Sequence, residues 1–175
     1  MPTYSDENIF LIWLLPSENS RVDLTSLIRQ LAKIYITKPF IPHCTIARIT
    51  GDSLEDKIAL LVDLKEKLKP VDLKYRKIDY RKEIRKSFFL EVELTSDLLV
   101  LYQEIKNVFQ FMEHDKFKPH ISLIYSQHMS IREKESLKKT LTLHDNYSFD
   151  QIALVSSSAN FGNWKIEYRQ TMWKG

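Results

Sequence analysis

A chain of 175 residues, 43% apolar and 28% charged, is long enough to bury one core unaided and too apolar to be disordered. Three scattered glycines, Gly51, Gly162 and Gly175, exclude a glycine-rich phosphate loop, and a single cysteine, Cys44, excludes an intrachain disulfide or a thiolate zinc cluster. The net charge of +3 is too small to announce a nucleic-acid binder, and the lone cysteine suits a reducing compartment.

Residues 1–7 carry no basic leader, and the apolar run over 9–15 is too short to span a bilayer. A cytoplasmic monomer without membrane contact is therefore expected. That run reads as a buried strand over 8–15. Leu24, Leu27, Ile28, Leu31, Ala32 and Tyr35 then share one face of a helix over 23–35. A loop holding Pro39 and Pro42 leads to a strand over 43–49, and Asp52 with Glu55 can cap the next helix. Strands over 71–79 and 88–95 follow. A helix opening at Ser96 or Asp97 buries Leu98, Leu101, Tyr102, Ile105, Val108 and Phe109. A strand over 120–125 precedes a helix over 130–140, for which Ser130 and Glu133 form a capping box. Strands over 147–156 and 164–173 close the chain, joined through the turn-rich residues 160–163.

One motif occurs twice. Phe40-Ile41-Pro42-His43-Cys44-Thr45 and Phe117-Lys118-Pro119-His120-Ile121-Ser122 both spell Phe-x-Pro-His-x-(Thr or Ser), 77 residues apart. The surrounding order of elements repeats as well, so residues 1–175 read as one domain made of two half-domains, each donating one His strand. Period two in a strand puts His43 and Thr45 on one face with Cys44 on the other, and likewise His120 with Ser122. If the halves pack about a pseudo-two-fold axis, two imidazoles and two hydroxyls meet in one cleft.

Such a pair suits phosphoester cleavage. Imidazole, with an ordinary pKa of about 6.5, can take a proton from water in one copy and give one to the departing oxygen in the other. The hydroxyls can hold the phosphoryl oxygens, and no metal or cofactor is required. A single His-x-Thr strand is more often a packed core histidine; two copies in a repeated context are not. A two-metal site fits worse: no His-x-x-x-His occurs, and His114, His128 and His144 read as loop or surface residues. Cys44 reads as a packed core thiol.

These paired motifs, together with Ile12-Trp13-Leu14-Leu15-Pro16 and Pro119-His120-Ile121-Ser122-Leu123-Ile124-Tyr125, resemble the two-histidine (2H) phosphoesterases, and among them the small cyclic phosphodiesterases. The resemblance implies a bilobal α+β fold: two antiparallel sheets flanked by helices, related by a pseudo-two-fold axis, with a central cleft. It implies hydrolysis of nucleoside 2′,3′-cyclic phosphates to 2′-phosphates, or of ADP-ribose 1″,2″-cyclic phosphate. His43 and His120 would be the acid–base pair, with His120 as base toward water and His43 as acid. Thr45 and Ser122 would hold the phosphate. Tyr125, Trp13 and Phe89 would contact substrate, Tyr125 only if the strand ends or bulges near Ile124.

The stretch 74–86 holds seven basic and two acidic residues interleaved with tyrosines. It reads either as a charge-protected edge or as a surface for RNA ends. The leading function is thus a metal-independent cyclic phosphodiesterase acting on small nucleotides. The alternatives are an RNA-directed enzyme of the same superfamily, cleaving 2′-5′ oligonucleotides, trimming RNA ends or ligating them 2′-5′, and a non-catalytic nucleotide- or RNA-binding module.

Overall fold

Strand β1 (Ile9–Pro16) is buried along its whole length, as an unbroken run of branched and aromatic residues requires. Its two faces serve different ends. Phe10, Ile12 and Leu14 enter the main core, whereas Leu11, Trp13 and Leu15 join Ala153 and Val155 in a smaller cluster on the opposite face. The computed structural model describes residues 9–51, 53–112, 116–157 and 164–173.

Helix α1 (Glu18–Ile34) begins well before the apolar periodicity does. Its first turns are polar, but Ser20 is buried there and its hydroxyl accepts from the Ser148 N–H at 2.9 Å. Then come β2 (Cys44–Thr50), α2 (Leu54–Asp63), β3 (Val71–Asp79), a 3-10 turn (Ile84–Lys86), β4 (Phe88–Val92) and α3 (Ser96–Val108). The chain closes with β5 (His120–Ile124), α4 (Ile131–Thr140), β6 (Asn146–Ser156) and β7 (Lys165–Thr171). Ser53 caps α2, accepting from the Asp56 N–H at 3.1 Å; the expected cap, Asp52, lies outside the described residues, as does the connection 160–163. The expected capping box is present at α4. Ser130 accepts from the Glu133 N–H at 3.2 Å, and the Glu133 carboxylate accepts from the Ser130 N–H at 2.8 Å.

All strands pair antiparallel in one seven-stranded sheet, ordered β1-β2-β5-β4-β3-β6-β7. The two expected sheets are joined into this one by β6. One edge of β6 pairs with β1, while the other pairs with β3 over Asn146 to Phe149 and with β7 over Gln151 to Ser156. The sheet therefore curls back on itself. On the far side from β6, β2 and β5 meet at a single rung, Cys44 opposite Ile121. That rung sets the two His motifs side by side. Among the described residues, no helix is long and apolar enough to cross a membrane.

Candidate active site

The β2–β5 rung brings His43 level with Ser122, and Thr45 level with His120, because antiparallel partners step in opposite directions from Cys44 and Ile121. All four side chains line one cavity of about 660 Å³. Cys44 points the other way; it is fully buried, and burial pushes its thiol up to about 12.

Both strands carry a one-residue bulge just after the motif hydroxyl. Trp13 pairs with Thr45 but Ile12 pairs with Ala47, leaving Ile46 as the extra residue. Phe89 pairs with Ser122 but Phe88 pairs with Ile124, leaving Leu123. These two bulges are themselves 77 residues apart. Each reverses the side-chain parity that follows it. Ala47 and Ile124 therefore join the core, and Arg48 and Tyr125 return to the cavity face. The condition set for Tyr125 is met, since β5 both bulges and ends at Ile124. Arg48 is its counterpart in the first repeat. Strict alternation hides this arginine, but the offset of 77 that aligns it with Tyr125 could have found it.

His43 is 6% exposed and lies flat against Trp13, with ring centroids 3.6 Å apart and planes 9° from parallel. Trp164 and Phe40 approach its ring edge-on at 5.8 and 6.3 Å. Its Nδ1 bonds to the Ile41 carbonyl oxygen at 2.7 Å. A carbonyl can only accept, so Nδ1 carries the proton and Nε2 is left as the acceptor. Burial pushes the His43 pKa down to about 4, against the opposing pull of the Ile41 carbonyl; charge on His120 lowers it further. His120 is half-buried, with Nδ1 3.3 Å from the Lys118 carbonyl oxygen and the edge of Phe89 at 5.3 Å. Burial lowers its pKa too, helped by the nearby charge of Lys86.

The two hydroxyls are held differently. Ser122 donates to the Arg85 carbonyl oxygen at 3.1 Å and is also hydrogen-bonded with the Tyr125 hydroxyl. Burial pushes that phenol up to about 12, so Tyr125 stays neutral. Buried Ser87 donates to the Ile124 carbonyl oxygen at 2.6 Å and accepts from the Ser126 N–H at 3.0 Å, pinning the 3-10 turn onto β5. Thr45 lines the cavity with no hydrogen-bond partner for its hydroxyl among the described residues.

Trp13 and Tyr125 line the cavity. Phe89 does not. It is 5% exposed and pairs in register with Ser122, so its ring backs His120 from the side. Trp164, missed in the sequence, packs edge-on to Trp13 at 5.4 Å and to Tyr125 at 5.7 Å.

Among the described lining residues there are five cations, Arg48, Arg85, Lys86, Lys116 and Lys118, and no carboxylate. The basic stretch 74–86 divides accordingly. Lys74 pairs with Glu93 at 3.5 Å, Arg76 with Glu91 at 3.7 Å, Lys77 with Asp79 at 3.2 Å, and Arg81 with Asp79 at 3.1 Å. Of this stretch, Arg85 and Lys86 line the cavity. No group of three His, Cys, Asp or Glu gathers as a metal site among the described residues. His128 and His144 are exposed, His144 lying 3.4 Å from Asp23, and His114 lies outside the described residues.

The chain matches the family of cyclic phosphodiesterase-like proteins over residues 10–167. A cyclic phosphodiesterase of Arabidopsis thaliana is 21% identical over 137 residues, covering 78% of this chain and 76% of that protein. The fold is similar to that of TT0787 of Thermus thermophilus, with TM-score 0.66, 15% identity, and 94% and 97% of the two chains covered. It is also similar to E. coli LigT complexed with 3′-AMP, with TM-score 0.57, 14% identity, and 95% and 98% covered. Since the family match runs through both His strands and most of the sheet, the chain belongs to the cyclic phosphodiesterase-like proteins of the two-histidine phosphoesterase superfamily.

Proposed function

We propose that this chain is a metal-independent cyclic phosphodiesterase. It hydrolyses nucleoside 2′,3′-cyclic phosphates to 2′-phosphates, or ADP-ribose 1″,2″-cyclic phosphate to the 1″-phosphate. The observation that carries this reading is the convergence of both imidazoles and both motif hydroxyls on one cation-lined cavity. Its two halves each give one His strand to a single site, so neither half works alone.

In the 2′,3′-cyclic case a water oxygen attacks phosphorus as the bond from phosphorus to O3′ breaks. One neutral imidazole takes the water proton, and the other, as imidazolium, protonates O3′. Thr45 hydrogen-bonds a phosphoryl oxygen directly, Ser122 does so by turning its hydroxyl from the Arg85 carbonyl, and the cations offset the charge that builds there. The expected order of roles, His120 as base and His43 as acid, meets a constraint. His43 is the harder of the two to protonate in the free protein. An acid role for His43 therefore needs the substrate phosphate beside it, whose negative charge favours the imidazolium.

A panel of purified substrates tests the reading: uridine and adenosine 2′,3′-cyclic phosphates, ADP-ribose 1″,2″-cyclic phosphate, a 2′-5′ dinucleotide and a short RNA. Turnover of the cyclic phosphates in the presence of EDTA, with a bell-shaped pH dependence of kcat/KM, is the expected result. Activity that EDTA abolishes, or that appears only with the dinucleotide or RNA, would overturn it.

A further inference from the structure

A second cavity, of about 710 Å³, shares no lining residue with the catalytic one. Its floor follows from the strand register. Trp13, Ala153 and Arg169 stand side by side across β1, β6 and β7, and Leu15, Gln151 and Thr171 form the next such row on that face. Arg169 therefore lies two strands, about 10 Å, from Trp13. One wall is α1, which turns Glu18, Arg21, Thr25 and Arg29 to one side at helical spacing, beside the stripe it buries. The other wall is the segment Pro39 to Pro42. That segment is the partition between the cavities. The next residue, His43, lines the catalytic side, and its Nδ1 donates back to the Ile41 carbonyl.

Charge decides what fits. Three arginines line this cavity against one carboxylate, Glu18. Glu18 lies 3.8 Å from Arg21 in an exposed pair, which carries little energy. The side chains of Arg29 and Arg169 have no ion-pair or hydrogen-bond partner among the described residues. They come from different elements, α1 and β7, so a ligand with two or more negative charges can engage both. A planar guanidinium grips phosphate or carboxylate through two parallel N–H···O bonds. Leu15, Phe40, Pro42 and Ile166 add apolar surface for a carbon body, and the volume is that of a small-molecule site.

We infer that this second cavity binds a small multivalent anion, an organic phosphate or a polycarboxylate, held by Arg29 and Arg169 apart from the phosphoester at the two histidines. Because the cavities share no lining residue, both can be occupied at once.

NMR titration of the full chain locates such an anion without turnover, at about 0.15 M salt to screen loose surface binding. The probes are inorganic pyrophosphate and citrate, added separately. At least one should give saturable shifts at the Nε–H groups of Arg29 and Arg169 and the amides of Phe40 and Ile41, with a Kd of about 1 mM or tighter. The tighter probe identifies phosphate or carboxylate as the group recognised. Arg29→Gln combined with Arg169→Gln should weaken that binding about 10-fold or more, as loss of charge-assisted contacts. Both side chains are exposed, so the core is untouched. Lys86→Gln, on the catalytic side, should leave the affinity unchanged. No saturable shift with either probe, a measurement that needs no variant to fold, would overturn the inference. So would shifts confined to the surroundings of His120 and Lys86, or an affinity that follows Lys86 and ignores the two arginines.

Discussion

His43 and His120 sit on strands built alike, down to a bulge in the same place, yet their surroundings have diverged. His43 lies flat under an indole and out of water. His120 meets a phenyl edge, keeps part of its surface open and feels a lysine. The contrast separates two jobs that a duplicated site has to do. The shared backbone decides which side chains converge, and the unshared neighbours decide how easily each takes a proton.

Removing either imidazole tests the shared part. His43→Ala and His120→Ala should each lower turnover of a 2′,3′-cyclic nucleotide by about 10²–10⁴-fold, the worth of a general acid or base. If steady-state assays find one variant close to wild type, the two strands are alike in form only.

The unshared part shows in acid. Burial holds His43 near 4 in the folded protein, while the unfolded chain takes up that proton near the ordinary value of about 6.5. Between those values the unfolded state binds more protons, so stability is full above about pH 6.5 and falls as the pH drops toward 4, by about 3 kcal/mol. The depressed His120 acts with the same sign. Urea denaturation of wild type and His43→Gln at pH 7 and pH 4.5 measures the difference. Equal acid sensitivity in the two proteins would show that His43 is not the dry member of the pair.

The hydroxyls give the smallest contrast. Ser122 already spends its proton on the Arg85 carbonyl, whereas Thr45 has no such partner among the described residues. Thr45→Val should therefore cost about 10-fold in kcat, as the loss of one transition-state hydrogen bond, and Ser122→Ala less. The reverse order would mean that Ser122, in spite of its bond to Arg85, makes the stronger contact with the phosphate.

The duplicated Phe-x-Pro-His-x-(Thr or Ser) is legible in the sequence because period two and a constant offset act on local residues. The same holds for the α4 capping box, where donor and acceptor lie three residues apart. The polar opening of α1 is not legible, since a buried Ser20 answering Ser148 is a contact between distant parts of the chain. Nor is Arg48. A bulge obeys no hydropathy pattern; it depends on how β1 and β2 slip against each other, and only the register displays it. Phe89 is placed by a contact that the sequence does not display. Its register with Ser122 sets its ring edge-on to His120 at 5.3 Å, a relation between strands that hydropathy alone does not carry. The basic stretch 74–86 is visible as charge, and the carboxylates Glu91 and Glu93 that neutralise its first half come from the neighbouring strand β4 and its exit.

β6 bridges both parts of the sheet along its length, whereas β2 and β5 share one rung. Mechanically that is a clamp, hinged at β6 and closed at the mouth by the backbone of Cys44 and Ile121. The mouth is the weakest seam in the sheet and also the line along which the four motif side chains come level. Were it to open, His43 and Thr45 on one side would part from His120 and Ser122 on the other. On the proposed function, a phosphate seated across the seam would do the reverse, tying the jaws with contacts from each side. Amide hydrogen exchange at Cys44 and Ile121 should then run faster than along β6 in the free protein, and slow when the jaws are tied.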